Sequence, residues 1–454
     1  MIDKKSALPV IISVLTGLVI IAGSCSKDKR PDTTFPEMKM PYIALNMVLG
    51  TQLVITDDKE YLKKLEEESA LSRKQIKKMF RYVLKNQTKD EVIKRAGEEI
   101  GNSLKELRGL PDGEKWKFFT VNILAPYLTM VVNNFDINDA NEKEIQSIFA
   151  KLFDAPQDTA NPLLELAEGS NRYHRGQVYK SKITYELNRY LIKKGICLDY
   201  GLRRSRANIF KIERVICQNK EWRPDEEISI FVLTRLYPNF LDGRLGYAPA
   251  EHSDVFIIKD LHHNRAKKYR DELRSKITPA HFSGDSYQKL WKSLGLYFDF
   301  ERMVRIRHEL LYKDLYGNSL SEIEKNFIAQ TAVHEAKHRI DEIEMPTMRL
   351  NLDMEVSAYL TTAILAPYPF LGLRSTIEWT ESYFHSTRYI KLKNLLADLW
   401  ILADNSLKEG YTGPMLRAEL LKIYENYTTI HENAKFINLT EFEQRMLPLV
   451  SKNL

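Results

Sequence analysis

The chain has 454 residues, of which 44% are hydrophobic and 28% are charged, a composition typical of globular proteins rather than disordered ones. Its 67 basic and 61 acidic residues give a formal net charge of +6, and the two signs are interspersed along the sequence. Because the basic residues form no stripe, we expect no nucleic-acid partner. Glycine and proline are scarce, at 19 and 17 residues, which favours a mostly helical fold.

The N-terminal segment has the pattern of a signal peptide. Lys4 and Lys5 precede an apolar run from Ala7 to Gly23, which ends in small residues just before Cys25. This ending resembles a bacterial lipobox, which implies cleavage after residue 24 and acylation of Cys25. The alternative is an uncleaved anchor helix, although about 17 apolar residues are at the short limit for crossing a bilayer.

The resemblance to Gram-negative lipoproteins also implies a location. Ser26, rather than an aspartate, follows the cysteine, and this favours the outer membrane over retention in the inner membrane. We therefore expect residues 1–24 to be a signal peptide and residues 25–40 to be a linker. The mature protein would belong to the bacterial cell envelope, held at the membrane by the lipid anchor on Cys25.

The rest of the chain divides into three regions. Residues 41–168 carry apolar residues at helical spacing and predict a helical N-terminal region, with helices at 58–69, 72–85, 89–107, 115–134 and 142–152. Residues 169–370 contain a helix at about 178–194 and then four strand-like runs, at 196–202, 209–217, 228–236 and 254–260. Residues 371–454 predict a helical C-terminal region. The predicted fold class is α+β, mostly helical, with a small sheet between helical flanks.

Two cysteines remain beyond the signal peptide, Cys197 and Cys217. Each follows apolar residues, so a disulfide between neighbouring strands and a pair of buried thiols are both open. Neither cysteine suits a zinc site, because the chain has no CxxC pair.

An HExxH motif is the strongest chemical signal in the sequence. His334 and His338 are four residues apart, so on a helix they stand one turn apart on one face and can bind a single zinc ion. Glu335 is rotated by roughly 100° from His334, which suits a base that acts on zinc-bound water. The surrounding sequence predicts a helix, because Ser319 and Glu322 have the spacing of a capping box and Pro346 follows the motif.

Catalytic zinc needs three protein ligands and one open position. A second predicted helix follows the motif, and it carries Glu355 among apolar neighbours, where an uncompensated carboxylate would be costly. Ala358 on the same face would let the two helices approach closely. Glu344 and Asp353 are alternative third ligands, and we prefer Glu355 to both.

With these residues the sequence resembles the zincin metallopeptidases, and within them the gluzincin type, in which a glutamate on a later helix completes HExxH, often in an ExxA setting. The resemblance covers roughly residues 170–370 and implies a zincin-like catalytic unit with a small twisted sheet and an active-site helix. It implies one zinc ion per chain, bound by His334, His338 and Glu355, and Glu335 as the catalytic base. In this comparison, residues 254–260 are expected to be the edge strand along which an extended substrate lies.

Other residues near the motif have open roles. Asp341 lies one turn beyond His338, where it either orients a metal ligand or pairs with Arg339 or another neighbouring charge. Zincins often add a Tyr or His that donates to the oxyanion, and the main candidates here are Tyr359 and His385.

The sequence therefore predicts a zinc-dependent peptidase that acts on a peptide or protein substrate. The alternative is a non-catalytic envelope lipoprotein, a helical scaffold or binding module whose HExxH arose by chance or binds a structural metal. Glu335 favours the enzyme, because a structural metal site has no need of this glutamate.

Overall fold

The structure is a computed structural model, and it describes residues 35–50, 77–78, 81–83, 85, 88–133, 135–158, 160–164, 186–201, 206–223, 226–236, 246–247, 254–274, 300–344, 351–384 and 390–430. The signal peptide, Cys25, the predicted helix at 58–69 and most of the one at 72–85 lie outside these residues. Within the described residues, no helix combines the length and the apolar character that a membrane span requires.

Helices α1 to α5 precede the sheet and confirm the predicted helices at 89–107, 115–134 and 142–152. Their bounds are Met40–Gly50 for α1, Lys89–Arg108 for α2, Asp112–Phe119 for α3, Ala125–Val132 for α4 and Asp139–Phe153 for α5. A π-helical segment, Thr120–Leu124, joins α3 to α4. A capping box begins α2, because the Glu91 amide donates to Thr88 Oγ1 at 3.2 Å and the Glu91 carboxylate accepts from the Thr88 amide.

The sheet is mixed and contains the four predicted strands and one more. Its strands are β1 Ile196–Gly201, β2 Arg206–Arg223, β3 Glu226–Arg235, β4 Gly246–Tyr247 and β5 Val255–Ile258, in the order β1-β2-β3-β5-β4. Strands β3 and β5 are parallel, and the other neighbours are antiparallel. Alternate residues face opposite layers: Ile230 and Val232 pack into the main helical core, whereas Phe231 and Leu233 face a smaller apolar cluster.

The register corrects one expectation about the strands and decides between two alternatives that the sequence left open. Residues 254–260 are not an edge strand, because β5 ends at Ile258 and lies between β3 and β4, with β4 at the edge. The register also separates the two cysteines. Cys197 pairs with Phe210 and Cys217 lies seven residues farther along β2, which is roughly 20 Å, whereas a disulfide needs Cα atoms within about 7 Å.

The remaining helices follow the sheet. They are α6 Lys259–Arg274, α7 Phe300–Leu315, α8 Leu320–Glu344, α9 Asn351–Leu365, α10 Pro369–Phe384, α11 Ile390–Lys408 and α12 Gly413–Ile430. The predicted capping box of α8 is confirmed, because the Glu322 amide donates to Ser319 Oγ at 3.3 Å and the Glu322 carboxylate accepts from the Ser319 amide at 2.8 Å. The described chain is thus mostly helical with one small mixed sheet, as an α+β fold requires.

Helix α8 lies at the centre of the main core. Its buried residues Ala332 and Ala336 share one apolar cluster with Val232 of β3 and with residues of helices α9 to α12, such as Trp400. This cluster runs from residue 230 to residue 427 and so includes the predicted C-terminal region. Helices α9 and α10 approach closely, since a Cβ on Gly372 would lie 2.5 Å from the Cα of Ala363. The core therefore holds α8 and α9 at a fixed separation.

Candidate metal centre

His334 and His338 meet on one face of α8, as the motif predicts. Their rings are 4.7 Å apart between centroids and nearly perpendicular, and their Nε2 atoms lie 3.1 Å apart. Both side chains are partly buried, with 15% and 14% of their surface exposed. The two Nε2 atoms therefore converge on one point, and the face of α8 that carries them is partly exposed to solvent.

Glu355 completes a triangle with the two histidines. Its Oε2 lies 3.6 Å from His334 Nε2 and 3.5 Å from His338 Nε2. Two ligand atoms that bind a tetrahedral zinc at about 2.0–2.2 Å are roughly 3.3–3.6 Å apart, so the two separations from Glu355 fit this geometry and the 3.1 Å between the histidine nitrogens is slightly shorter. These three residues form the candidate metal cluster among the described residues.

The position of Glu355 depends on the packing of α9 against α8. Val356 and Ala358 are fully buried beside it, and the small Ala358 allows the close approach predicted from the sequence. The alternative ligands Glu344 and Asp353 have side chains outside the described part of the structure. Of the three candidates for the third ligand, Glu355 is thus the one that the described structure places beside the two histidines.

The side chains of the triangle shift one another's pKa. Burial raises the pKa of Glu355, but hydrogen bonds with His334 and His338 outweigh it and hold that pKa well below its ordinary value. Burial lowers the pKa of His338, and the hydrogen bond with Glu355 and the charge of Glu335 raise it by more. The group of carboxylates thus attracts positive charge, whether a proton on His338 or a metal ion.

A cleft of about 430 Å³ opens beside the triangle. Helix α8 contributes His334 and Glu335 to its lining, and the edge strand β4 contributes Gly246. Glu335 is partly exposed, and a Cβ on Gly246 would lie 3.0 Å from its Cγ. Glu335 therefore lies between the helix and the sheet edge, beside the triangle but not part of it, and lines the cleft.

Tyr359 also lines the cleft, one turn after Glu355 on α9. Its ring contacts that of His334 edge to face at 4.6 Å and stacks on Trp379 of α10 at 5.0 Å between centroids. Trp379 thus holds the Tyr359 ring beside His334. The other oxyanion candidate, His385, lies outside the described residues.

Asp341 binds a neighbouring charge. It forms an ion pair with Lys337 one turn earlier, and both side chains have no exposed surface. The pair lies inside the protein, so Asp341 does not share the cleft with His334. Of the two roles that the sequence left open for Asp341, the contacts support pairing with a neighbouring charge. The partner is Lys337 rather than Arg339. The charge of Asp341 still acts on His338 through space, where it helps to raise that pKa.

Several cleft residues were not found by the sequence analysis. Arg265 comes from α6, and Glu378 and Trp379 come from α10, so only the tertiary fold brings them to the motif. Gly246 had a weak signal, because it belongs to a loop with two glycines that permit tight backbone.

Comparison with known proteins gives no assignment for this chain. No protein-family model, curated protein or solved structure matches it.

Proposed function

We propose that the protein is a zinc-dependent peptidase. The observation that supports this most strongly is the triangle of His334, His338 and Glu355, whose donor atoms are 3.1 to 3.6 Å apart. A chance HExxH on a helix has no reason to meet a carboxylate from another helix at these distances. The triangle lies beside an open cleft, as a metal site that acts on a substrate requires.

Each residue has a defined part in this proposal. His334 and His338 bind the metal through Nε2, and Glu355 binds it through a carboxylate oxygen. When bound, zinc supplies a Lewis acid that polarises the scissile carbonyl and makes a water molecule more acidic. Glu335 accepts a proton from the attacking water and passes it to the leaving nitrogen of the peptide. Tyr359 presents its ring beside His334 and is our candidate donor to the oxyanion.

The sheet edge gives the cleft a second wall, and we propose that it binds substrate backbone. Strand β4 is at the edge, and its Gly246 contacts Thr331 and Glu335 of α8. An extended peptide could pair with this edge and pass across the metal ligands. The arrangement of sheet edge, HExxH helix and glutamate helix supports the zincin-like unit that the sequence resemblance implies.

The same chemistry bears on the non-catalytic alternative. A structural zinc usually has four protein ligands in a closed site, whereas the cluster found among the described residues has three. Glu335 also has no part in holding a structural metal, yet it faces the cleft. We therefore favour the enzyme over a binding or scaffold module.

The envelope location remains part of the proposal. We propose that the mature chain begins at Cys25 and is tethered to the outer membrane by acyl chains. Its peptide or protein substrates would then be those that reach the envelope.

Replacement of Glu335 by glutamine tests the function. The chain from Lys27 onward is loaded with zinc and incubated with an unbiased peptide mixture, and new termini are identified by mass spectrometry. We expect cleavage that a chelator abolishes. Glutamine keeps the volume of Glu335 but cannot accept the proton, so Glu335→Gln should lose on the order of 10² to 10⁴ in rate while its melting temperature and zinc content stay unchanged. Full chelator-sensitive cleavage by Glu335→Gln would contradict the mechanism, and a wild type that cleaves nothing would favour the binding module.

A further inference from the structure

Arg265 brings a positive charge into the candidate cleft. It comes from α6, and it lines the same cleft as His334 and Glu335. Its guanidinium carbon lies 5.5 Å from the ring centroids of both Tyr269 and Phe327. These two aromatic rings, which contact each other edge to face at 5.5 Å, hold the guanidinium in place by cation–π contacts.

Arg265 has no carboxylate partner within ion-pair distance among the described residues. Its hydrogen bond is a long one, from Nη2 to the hydroxyl of Tyr269 at 3.4 Å. Burial lowers the pKa of Arg265, and the charges of Tyr269, Tyr359 and Glu378 raise it by more, Glu378 acting through space. A guanidinium that lines a cleft without a carboxylate keeps donors available for an anion from outside the chain.

A neighbouring arginine shows the contrast. Arg374 on α10 donates from Nε to Glu378 at 2.8 Å and lies 3.0 Å from Glu272 through Nη2. Arg374 thus pairs with Glu378, which lines the cleft, and with Glu272 of α6. The fold neutralises Arg374 and leaves Arg265 facing the cleft.

The rise of α8 between Phe327 and His334 gives the scale of the separation between Arg265 and the candidate metal ligands. Phe327, on which Arg265 rests, precedes His334 by seven residues of α8, which is about 10 Å at 1.5 Å per residue. An extended peptide advances roughly 3.3 Å per residue. Because Arg265 lies beside Phe327 at this end of the cleft, a substrate group that reaches it would be a few residues from the bond at the metal.

We propose that Arg265 binds a carboxylate of the peptide substrate, a few residues from the scissile bond. The carboxylate belongs either to an acidic side chain or to the C-terminus of a short peptide, since both present the same two oxygens to a guanidinium. This inference rests on the proposed peptidase function and defines its substrate class. Arg265 is then a specificity-determining residue.

Binding of matched peptide hydroxamates tests this inference without requiring turnover. The hydroxamate coordinates zinc, and the peptide part carries glutamate or glutamine at each of the first four positions, with a free or an amidated C-terminus. Affinities are measured by calorimetry for the zinc-loaded chain from Lys27 onward. We expect one carboxylate position to improve affinity by roughly ten- to a hundredfold, the range of a charge-assisted hydrogen bond. A preference for glutamate over glutamine identifies a side-chain carboxylate, and a preference for the free over the amidated terminus identifies a C-terminal one.

The variants assign this preference to Arg265. Arg265→Gln should bind the carboxylate peptide and its uncharged counterpart equally, with the affinity that wild type has for the uncharged one. Arg265→Lys should keep part of the preference for the carboxylate. Lys268→Gln removes a positive charge from an exposed position of the same helix and should behave as wild type. Zinc content and melting temperature are measured for each variant.

Two kinds of failure remain distinguishable. If hydroxamates bind but show no carboxylate preference, or if Arg265→Gln keeps the preference, the role of Arg265 is wrong and the peptidase proposal stands. If the wild type binds neither zinc nor hydroxamates, the proposed function fails and this inference fails with it.

Discussion

Gly246 of the sheet edge lies so close to Glu335 of the motif that a methyl group does not fit between them. A Cβ at residue 246 would be 3.0 Å from Glu335 Cγ and 2.6 Å from Thr331 Cγ2. The width of the cleft between β4 and α8 therefore depends on a residue without a side chain. This contact joins the element that would bind a substrate to the residue that would act on it.

Replacement of Gly246 by alanine should impair cleavage without removing the metal. The new methyl group forces β4 away from α8 or displaces Glu335, and a misplacement of about 1 Å costs on the order of 10²-fold in rate. Peptide cleavage and zinc content are measured side by side. Gly113→Ala is the control, because a Cβ there meets nothing within 4 Å and the residue lies in helix α3. Wild-type cleavage by Gly246→Ala would contradict the role of this contact.

The buried ion pair of Lys337 and Asp341 should be essential for stability. Both side chains have no exposed surface, so Lys337→Met leaves an uncompensated carboxylate in the interior. Loss of one partner of a buried pair typically costs about 3–5 kcal/mol in the free energy of unfolding. Urea unfolding of Lys337→Met should show this loss, and the double variant Lys337→Met with Asp341→Leu should recover most of it. A single variant as stable as wild type would contradict the burial of the pair.

Asp314 should make stability depend on pH. Burial raises its pKa to about 7, although the Leu371 amide, which donates to its Oδ2 at 2.7 Å, opposes this shift. An unfolded aspartate has a pKa of about 3.9, so between roughly pH 4 and 7 the folded chain keeps a proton that the unfolded chain releases. The contribution of Asp314 to stability is therefore present below pH 4 and is lost as the pH rises to 7.

Asp314→Asn removes this titration and keeps an acceptor for the Leu371 amide. Chemical denaturation at pH 5 and pH 8 should show that wild type loses more stability than the variant over this interval, by at most about 3 kcal/mol. Equal losses in the two proteins would contradict the raised pKa.

The lipid anchor can be tested in cells. If Cys25 is acylated, labelled palmitate should enter the wild-type protein and be absent from Cys25→Ala. Cys217→Ala is the matched control and should retain the label. A labelled Cys25→Ala protein would overturn the lipoprotein assignment.

Local features of the fold could be predicted from the sequence, and features that depend on distant pairing could not. Spacing placed His334 and His338 on one face of a helix, and the capping box at Ser319 located the start of that helix. Glu355 was also predicted, because an acidic residue among apolar neighbours needs a compensating charge.

The edge of the sheet shows why other features were missed. Strand β4 has two residues, too few for a periodic pattern, so the longer run at 254–260 was wrongly expected at the edge. Arg265 resembles any charged residue of an exposed helix, and its place in the cleft depends on contacts with Phe327, which is 62 residues away in the chain. The sequence offered Arg339 or another neighbouring charge as the partner of Asp341 without singling out Lys337, because helical spacing does not reveal which side of α8 faces the interior in its last turns.

The zinc content of purified protein tests the metal centre most directly. Wild type and Glu355→Ala are prepared in the same buffer, saturated with zinc, desalted and analysed by mass spectrometry for metal. Glu378→Ala, which removes another carboxylate from the same cleft, is the control. We expect one zinc ion per chain in wild type and in Glu378→Ala, and little or none in Glu355→Ala, because Oε2 of Glu355 completes the triangle with the two histidines. A metal-free wild type, or an undiminished zinc content in Glu355→Ala, would contradict the assignment of these three residues.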